Sequence, residues 1–167
     1  MTVPPFSDLI AATTRTAVHL ETRDAYTPDD PAFLGWKTGR PVSAPAGAAW
    51  YELVREHTAR GVSFRRARVV SEPLAEYIRF EHESTPLNIA AGEEVRWLPR
   101  NTAPGLLIPL ADCWILDDKL VRFGHFAGDG TFLGQQLTDD PELVATCADA
   151  FARVWERAIP HDEYHPA

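Results

Sequence analysis

Val62-Ser63-Phe64-Arg65-Arg66-Ala67-Arg68-Val69-Val70-Ser71-Glu72-Pro73 is the stretch whose reading decides the fold. Its first nine residues are rich in valine, carry one phenylalanine and contain no breaker after Val62, which predicts a strand. Ser71, Glu72 and Pro73 then supply three signals of a helix start: a hydroxyl to cap it, an acid at its positive end and a proline in its first turn. Leu74, Tyr77, Ile78 and Glu81 fall on one face of that helix. Side chains alternate along a strand, so Arg66 and Arg68 share one face of the sheet and Arg65 points to the other.

Toward the N-terminus, Gly61 closes a helix over about Trp50 to Arg60, in which Trp50, Leu53, Val54 and His57 recur at helical spacing. Residues 27–49 hold Pro28, Pro31, Pro41, Pro45, Gly35, Gly39 and Gly47, which predicts a long surface loop with a turn of helix around Phe33–Lys37. A first helix is expected from Ser7 to Val18, then a short extended segment over His19–Arg23.

Toward the C-terminus, a loop through Ala91–Glu94 follows Pro86, and Val95–Leu98 forms a strand. A meander comes next, with Cys113–Leu116, Leu120–Phe126 and Phe132–Leu137 joined by turns at Asp117-Asp118 and Gly128-Asp129-Gly130. Asp140 caps the last helix, Pro141 enters its first turn, and Val144, Cys147, Ala148, Phe151, Val154, Trp155 and Ala158 make one apolar stripe ended by Pro160. The expected fold is α+β: a mostly antiparallel sheet with a C-terminal β-meander, packed by about four helices. Residues 1–167 make one domain, with the loop over 27–49 and a solvated tail over 160–167.

Composition bounds the function. A chain of 167 residues, 45% hydrophobic and 24% charged, builds its own core without a metal or disulfide. Cys113 and Cys147 sit in apolar patterns and read as buried thiols of a reducing compartment. The N-terminus has neither the basic start nor the apolar run of a signal peptide, and no stretch is long enough to span a membrane, so the expected location is cytoplasmic. The net charge is −8, with −6 of it over residues 125–167. An acidic chain is repelled by phosphate backbones, so direct nucleic-acid binding is not expected.

The search for chemistry excludes much. No Walker loop, nucleophile elbow or dinucleotide fingerprint is present, and Cys and His do not cluster at zinc spacing. No cofactor is expected. His161 and His165 stand four apart, but Asp162 occupies the place where a metalloprotease helix needs glutamate. The segment that holds attention is the opening one. Arg66 and Arg68 on one face can clamp a carboxylate or phosphate beside the helix start, with Arg23 and Tyr26 to complete the clamp. The same arginines can equally form a structural ion-pair network with Glu21, Glu72 and Glu81. Trp114 and Trp155 read as core, whereas Trp36 in the loop is a candidate contact.

His19-Leu20-Glu21-Thr22-Arg23-Asp24-Ala25-Tyr26, Arg66 through Leu74 with Tyr77 and Glu81, Arg96-Trp97-Leu98-Pro99-Arg100, Asp112 through Asp118, Asp139-Asp140-Pro141 and Tyr164 together resemble an uncharacterised actinobacterial family, a domain of unknown function. The resemblance covers nearly the whole chain. Members of that family are often encoded beside helix-turn-helix regulators, which implies a regulatory role with a protein partner. A fainter likeness is to one half of a phospholipase-D-like domain, whose chemistry needs a histidine nucleophile and a lysine shortly before its aspartate. Leu110 and Ala111 precede Asp112 here, and no histidine lies between His82 and His125, so that motif is missing.

The expectation is thus a non-catalytic regulatory or binding protein, acting with a protein partner such as a transcriptional regulator or with a small anionic ligand. The candidate ligand-binding residues are Arg23, Tyr26, Arg66, Arg68, Glu72 and Tyr77. The alternative is a hydrolase or nuclease-like enzyme using carboxylates such as Glu72, Glu81 and Asp117 with a divalent metal.

Overall fold

The computed structural model describes residues 3–43 and 48–167; residues 44–47, within the 27–49 segment expected as a loop, lie outside the described residues. In chain order the elements are α1 (Phe6–Ala12), β1 (Thr16–Glu21), α2 (Pro31–Lys37), α3 (Ala48–Ala59), β2 (Ser63–Val70), α4 (Glu76–Ala91), β3 (Glu93–Pro99), a 3-10 turn over Arg100–Thr102, β4 (Asp112–Leu116), β5 (Leu120–Phe126), β6 (Phe132–Thr138), α5 (Pro141–Arg157) and β7 (Ile159–Pro160). The seven strands form one sheet in the order β6-β5-β4-β1-β2-β3-β7.

This corrects the expected fold in two respects. The sheet is mixed, because β1 pairs with β2 and β2 with β3 in parallel, while β4, β5 and β6 form the antiparallel meander. The described residues also contain five α-helices, the fifth being α2, expected only as a turn. The physical reason lies in the connections. A helical crossover carries the chain back to the end of the sheet where the previous strand began, so strand–helix–strand gives parallel neighbours. Helices α2 and α3 cross from β1 to β2, and α4 crosses from β2 to β3.

The helices cover both faces. Val144, Cys147, Phe151 and Val154 of α5 pack on Val18, Leu20, Ala67, Val69, Leu98 and Ile115. On the opposite face α1 and α3 supply Leu9, Ile10, Tyr51 and Val54 against Ala17, Phe64, Trp114 and Leu116. A third cluster, Tyr26, Val70, Ile78, Val95 and Trp97, holds Tyr164 from the C-terminal segment. Pro160 does not end the ordered chain: Ile159 and Pro160 pair with Trp97 and Arg96 of β3.

Three boundaries differ from expectation for identifiable reasons. Helix α1 stops at Ala12 because the Asp117 carboxylate accepts hydrogen bonds from the backbone N–H groups of Thr14 (2.8 Å), Arg15 (2.7 Å) and Thr16 (2.9 Å) and pulls that segment into β1. Ser71 does not cap α4; its N–H and hydroxyl donate to Asp24 (2.8 and 2.7 Å), and the helix starts at Glu76. Helix α4 also runs through Pro86 to Ala91 and closes on Gly92, at φ 117°. A side chain at Gly92 would meet Thr58 of α3 at 2.8 Å, so this close approach needs glycine as well.

Candidate functional site

The strand alternation read from the sequence holds. Arg66 and Arg68 project from β2 to the face covered by α3 and α4, whereas Arg65 points to the α5 face and lies over Trp155. Parallel register sets Arg66 beside His19 of β1 and Arg68 beside Glu21. On the other side, Glu93 starts β3 on the same face, two and four residues before Val95 and Trp97. A polar layer results inside an otherwise apolar interior, with Trp50, Trp97 and Trp114 against the guanidinium groups.

Each guanidinium nitrogen of Arg66 is engaged. Nε and Nη2 donate to the two oxygens of Glu93 (2.8 and 3.2 Å), and Nη1 donates to Glu21. His19 Nδ1 lies 3.0 Å from Arg66 Nη1 and 3.1 Å from Glu21 Oε1. Glu93 also accepts from Asn88 Nδ2 (3.1 Å) and from Trp50 Nε1. Burial alone would raise the Glu21 carboxyl, but Arg68 and Arg66 hold it well below the usual carboxylate range. Burial is likewise outweighed at Glu93, which Arg66 holds low. Arg66 is therefore a structural member of a closed ion-pair network, not a free clamp.

Arg68 is different. Its Nε donates to Glu21 Oε2 (2.6 Å) and its Nη1 to Thr85 Oγ1 (2.7 Å), while Nη2 has no hydrogen bond among the described residues. Glu81, one turn before Thr85 on α4, places Oε2 3.5 Å from Arg68 Nε without a hydrogen bond. Burial pushes the Glu81 carboxyl up to about 8, against the pull of Arg68. Arg68 and Glu81 line a cavity of about 520 Å³ between α4, α3 and the segment from Asp30 to Ser43, together with Tyr51, Tyr77, Phe80 and Arg40. A buried acid lacking a full hydrogen-bond complement at the edge of a cavity marks a candidate functional position, and structural ion-pair networks produce the same signature.

The six candidate residues thus divide. Arg68 and Tyr77 reach the cavity, and Tyr77 shares a hydroxyl–hydroxyl hydrogen bond with Thr27 (3.2 Å). Arg66 lies behind it in the closed network. Arg23 donates to the Ala127 carbonyl (2.6 Å), stacks over Phe126 and belongs to the β5–β6 end. Tyr26 donates to Asp112, which is also held by the Thr22 N–H (2.9 Å). Glu72 accepts from Tyr164 (2.7 Å), so it does not join the arginines. Trp36 packs on Phe33 and Phe80 and donates to Glu83 (2.7 Å), tying α2 to α4.

The carboxylates of the enzymatic alternative do not converge. Asp117 is occupied by the turn into β1, Glu72 by Tyr164, and Glu81 stands by Arg68. No group of three or more His, Cys, Asp or Glu placed to hold a metal occurs among the described residues. His161 does not pair with His165 along a helix; its Nδ1 accepts from Trp97 Nε1 (3.0 Å) and its ring lies 4.9 Å from that of His82. Sequence reasoning left out Glu93 and His19 as members of the network. The signal was available in strand period, which puts Glu93 on the face of Val95 and Trp97, and His19 on that of Glu21. Tyr51 and Arg40 had no such signal, because only the path of the chain after α2 brings them to Arg68.

Fold and site together define a three-layer α/β/α domain with a cavity on one face of its sheet, floored by a buried arginine–glutamate pair. The family described as "Domain of unknown function (DUF6879)" matches residues 4–166, and this chain belongs to it. A search of the curated proteins gave no match. No helix among the described residues is long and apolar enough to cross a membrane.

Proposed function

We propose that this chain is a non-catalytic regulatory protein that binds a small anionic ligand in the cavity between α4, α3 and the segment over residues 30–43. One observation carries the reading: Arg68 lines the cavity, and its Nη2 makes no hydrogen bond among the described residues. A cationic donor without a partner in a concave, aromatic-walled pocket is what an anionic ligand completes. Exposed Arg40 at the rim adds a second positive charge. Carboxylates that are separately occupied give the hydrolase or nuclease alternative no shared centre to act from.

Titration of the full chain with small anions, followed by amide resonances, tests the reading. Shifts clustered at Tyr77, Phe80, Glu81 and Ser84, weakened by Arg40→Ala in a protein of unchanged melting temperature, support it. Anions that leave these amides unmoved defeat it.

A protein partner is supported by a different place. Leu107 and Leu110 are almost fully exposed on the segment before β4, and Phe132 and Leu133 stand out on β6, a strand at the edge of the sheet. Exposed apolar side chains beside an open strand edge favour association with another chain. The resemblance to a family encoded beside helix-turn-helix regulators makes a transcriptional regulator the partner to try first. Loss of its capture on Leu110→Glu, with Arg40→Ala unaffected, would support that interface.

A further inference from the structure

The segment that follows α5 is held to the sheet by stacked rings and by one hydrogen bond whose direction is fixed. Trp97 of β3 is buried, and an indole N–H can only donate; its Nε1 donates to Nδ1 of His161 at 3.0 Å. That nitrogen must offer a lone pair, so His161 is neutral while the bond stands. Tyr164 stacks on the same indole with centroids 5.4 Å apart, and the His161 backbone N–H donates to the Val95 carbonyl at 3.1 Å. A proton on Nδ1 of His161 would turn two N–H groups toward each other and leave the buried indole donor without an acceptor.

The surroundings make that proton costly. The His82 ring of α4 lies 4.9 Å from the His161 ring and 5.8 Å from that of Tyr164, and its buried Nε2 has no hydrogen-bond partner among the described residues. Burial holds both imidazoles below the usual histidine range. His82 and Arg68 of β2 add to that effect at His161, and Arg68 and His165 add to it at His82. Against them stand Asp162 beside His161, and the Tyr164 backbone with Glu83 beside His82. Glu72 is engaged by the Tyr164 hydroxyl (2.7 Å). Both histidines are half-buried, within reach of solvent protons.

We propose that residues 159–164 form a pH-operated latch, docked on β3 and α4 while His161 is neutral and released when His161 and His82 take up protons. Release uncovers the edge of β3 that Ile159 and Pro160 cover, and removes the ring stacked on Trp97. Arg68 of the cavity floor lies over that same indole, 5.0 Å from its centroid. Docked histidines bind protons more weakly than released ones, so docking is at full strength above about pH 6.5 and is lost as pH falls through the docked values. Over that interval it weakens by up to about tenfold per pH unit for each histidine. Glu21 and Glu93 stay ionised there, because Arg66 and Arg68 hold them low, so the ion-pair network outlasts the latch.

Hydrogen exchange and resonance titration of the full chain from about pH 7.5 to about pH 5 test this. The amide at position 161 is expected to lose protection about tenfold or more per pH unit, after correction for intrinsic exchange, while amides paired between β1 and β2 keep theirs. The Trp97 indole N–H and the His161 ring should titrate together with that loss. His161→Asn puts a carbonyl oxygen in place of Nδ1 and cannot take the proton, so the loss should be no steeper than one histidine allows; adding His82→Gln should abolish it. Protection unchanged down to about pH 5, its loss together with the β1–β2 amides, or an equal loss in the double variant overturns the latch. Should the double variant not fold, the parent decides alone: release at a pH apart from the titration of the His161 ring overturns it.

Discussion

The two faces of the sheet are built from the same strands by different chemistry. Toward α5, Val18, Leu20, Ala67, Val69 and Ile115 meet an apolar helix stripe, and stability there follows buried area. Toward α3 and α4, the alternate positions of the same strands carry His19, Glu21, Arg66, Arg68 and Glu93, and stability follows satisfied charge. Within that polar face Arg66 and Arg68, two residues apart, differ again. All nitrogens of Arg66 are engaged, whereas Nη2 of Arg68 has no hydrogen bond among the described residues. A buried ion-pair network contributes little net stability against an apolar equivalent, but it fixes where its charges sit. The closed part of the network holds the open part in place.

The contrast can be broken most severely at Arg66. Arg66→Ala leaves Glu93 buried without its main partner and Glu21 with Arg68 alone, and is expected to cost about 3–5 kcal/mol near neutral pH by urea unfolding. Glu21 and Glu93 have folded pKa values below their unfolded ones, so the stability they contribute is present above about pH 4.5 and is lost as pH falls through the folded values. The penalty of Arg66→Ala should therefore shrink in acid. Phe151→Ala on the apolar face costs a similar amount, about 3–5 kcal/mol, at every pH at which the parent folds. Equal pH behaviour of the two variants would erase the distinction between the faces.

Glu81→Gln sharpens it with the opposite sign. The folded pKa of Glu81 is raised, so its contribution is fully present below about pH 4.5 and is lost as pH rises through about 8. The glutamine variant should be more stable than the parent by about 1–3 kcal/mol in alkaline solution, the scale of one unsatisfied buried polar group, and the gap should close toward acid. A constant difference across that range would show that Glu81 is ionised throughout. The smallest effect is expected far from both faces, at Asp140, whose carboxylate accepts from the Leu143 N–H (2.9 Å) at the start of α5. Asp140→Ala should cost about 1 kcal/mol by thermal melting, with no change in anion binding.

What could be read from sequence was local. Asp140, Pro141 and the stripe from Val144 to Ala158 define α5, and Asp117-Asp118 do form the β4–β5 turn, both at positive φ. Arg66 and Arg68 share a face because strand period requires it. The unreadable parts depend on distant partners. Asp117 ends α1 from a hundred residues away, Asp24 takes the serine that reads as a cap for α4, and Pro86 is accommodated inside that helix. Parallel pairing leaves no local trace, since β2 has the same alternation whichever way its neighbours run. For the site, Arg68, Tyr77 and Glu81 stood out in one segment, whereas Tyr51 and Arg40 reach it only through the chain's path.

The strand order also governs how the protein emerges during synthesis. β1 is the middle of the sheet, and one of its sides is closed by β2, about forty residues later, through Thr16↔Ser63 to Glu21↔Arg68. Its other side waits for β4, where Leu20 meets Cys113 and Ala17 meets Leu116. A nascent chain ending between β3 and β4 can complete the parallel half, yet it presents the bare side of β1 to every other protein at the ribosome. Such an open strand edge recruits unwanted neighbours. Vectorial translation makes the passage from β3 to β4 the interval of greatest exposure to misassembly, and a chaperone holding that one strand edge would protect the whole sheet.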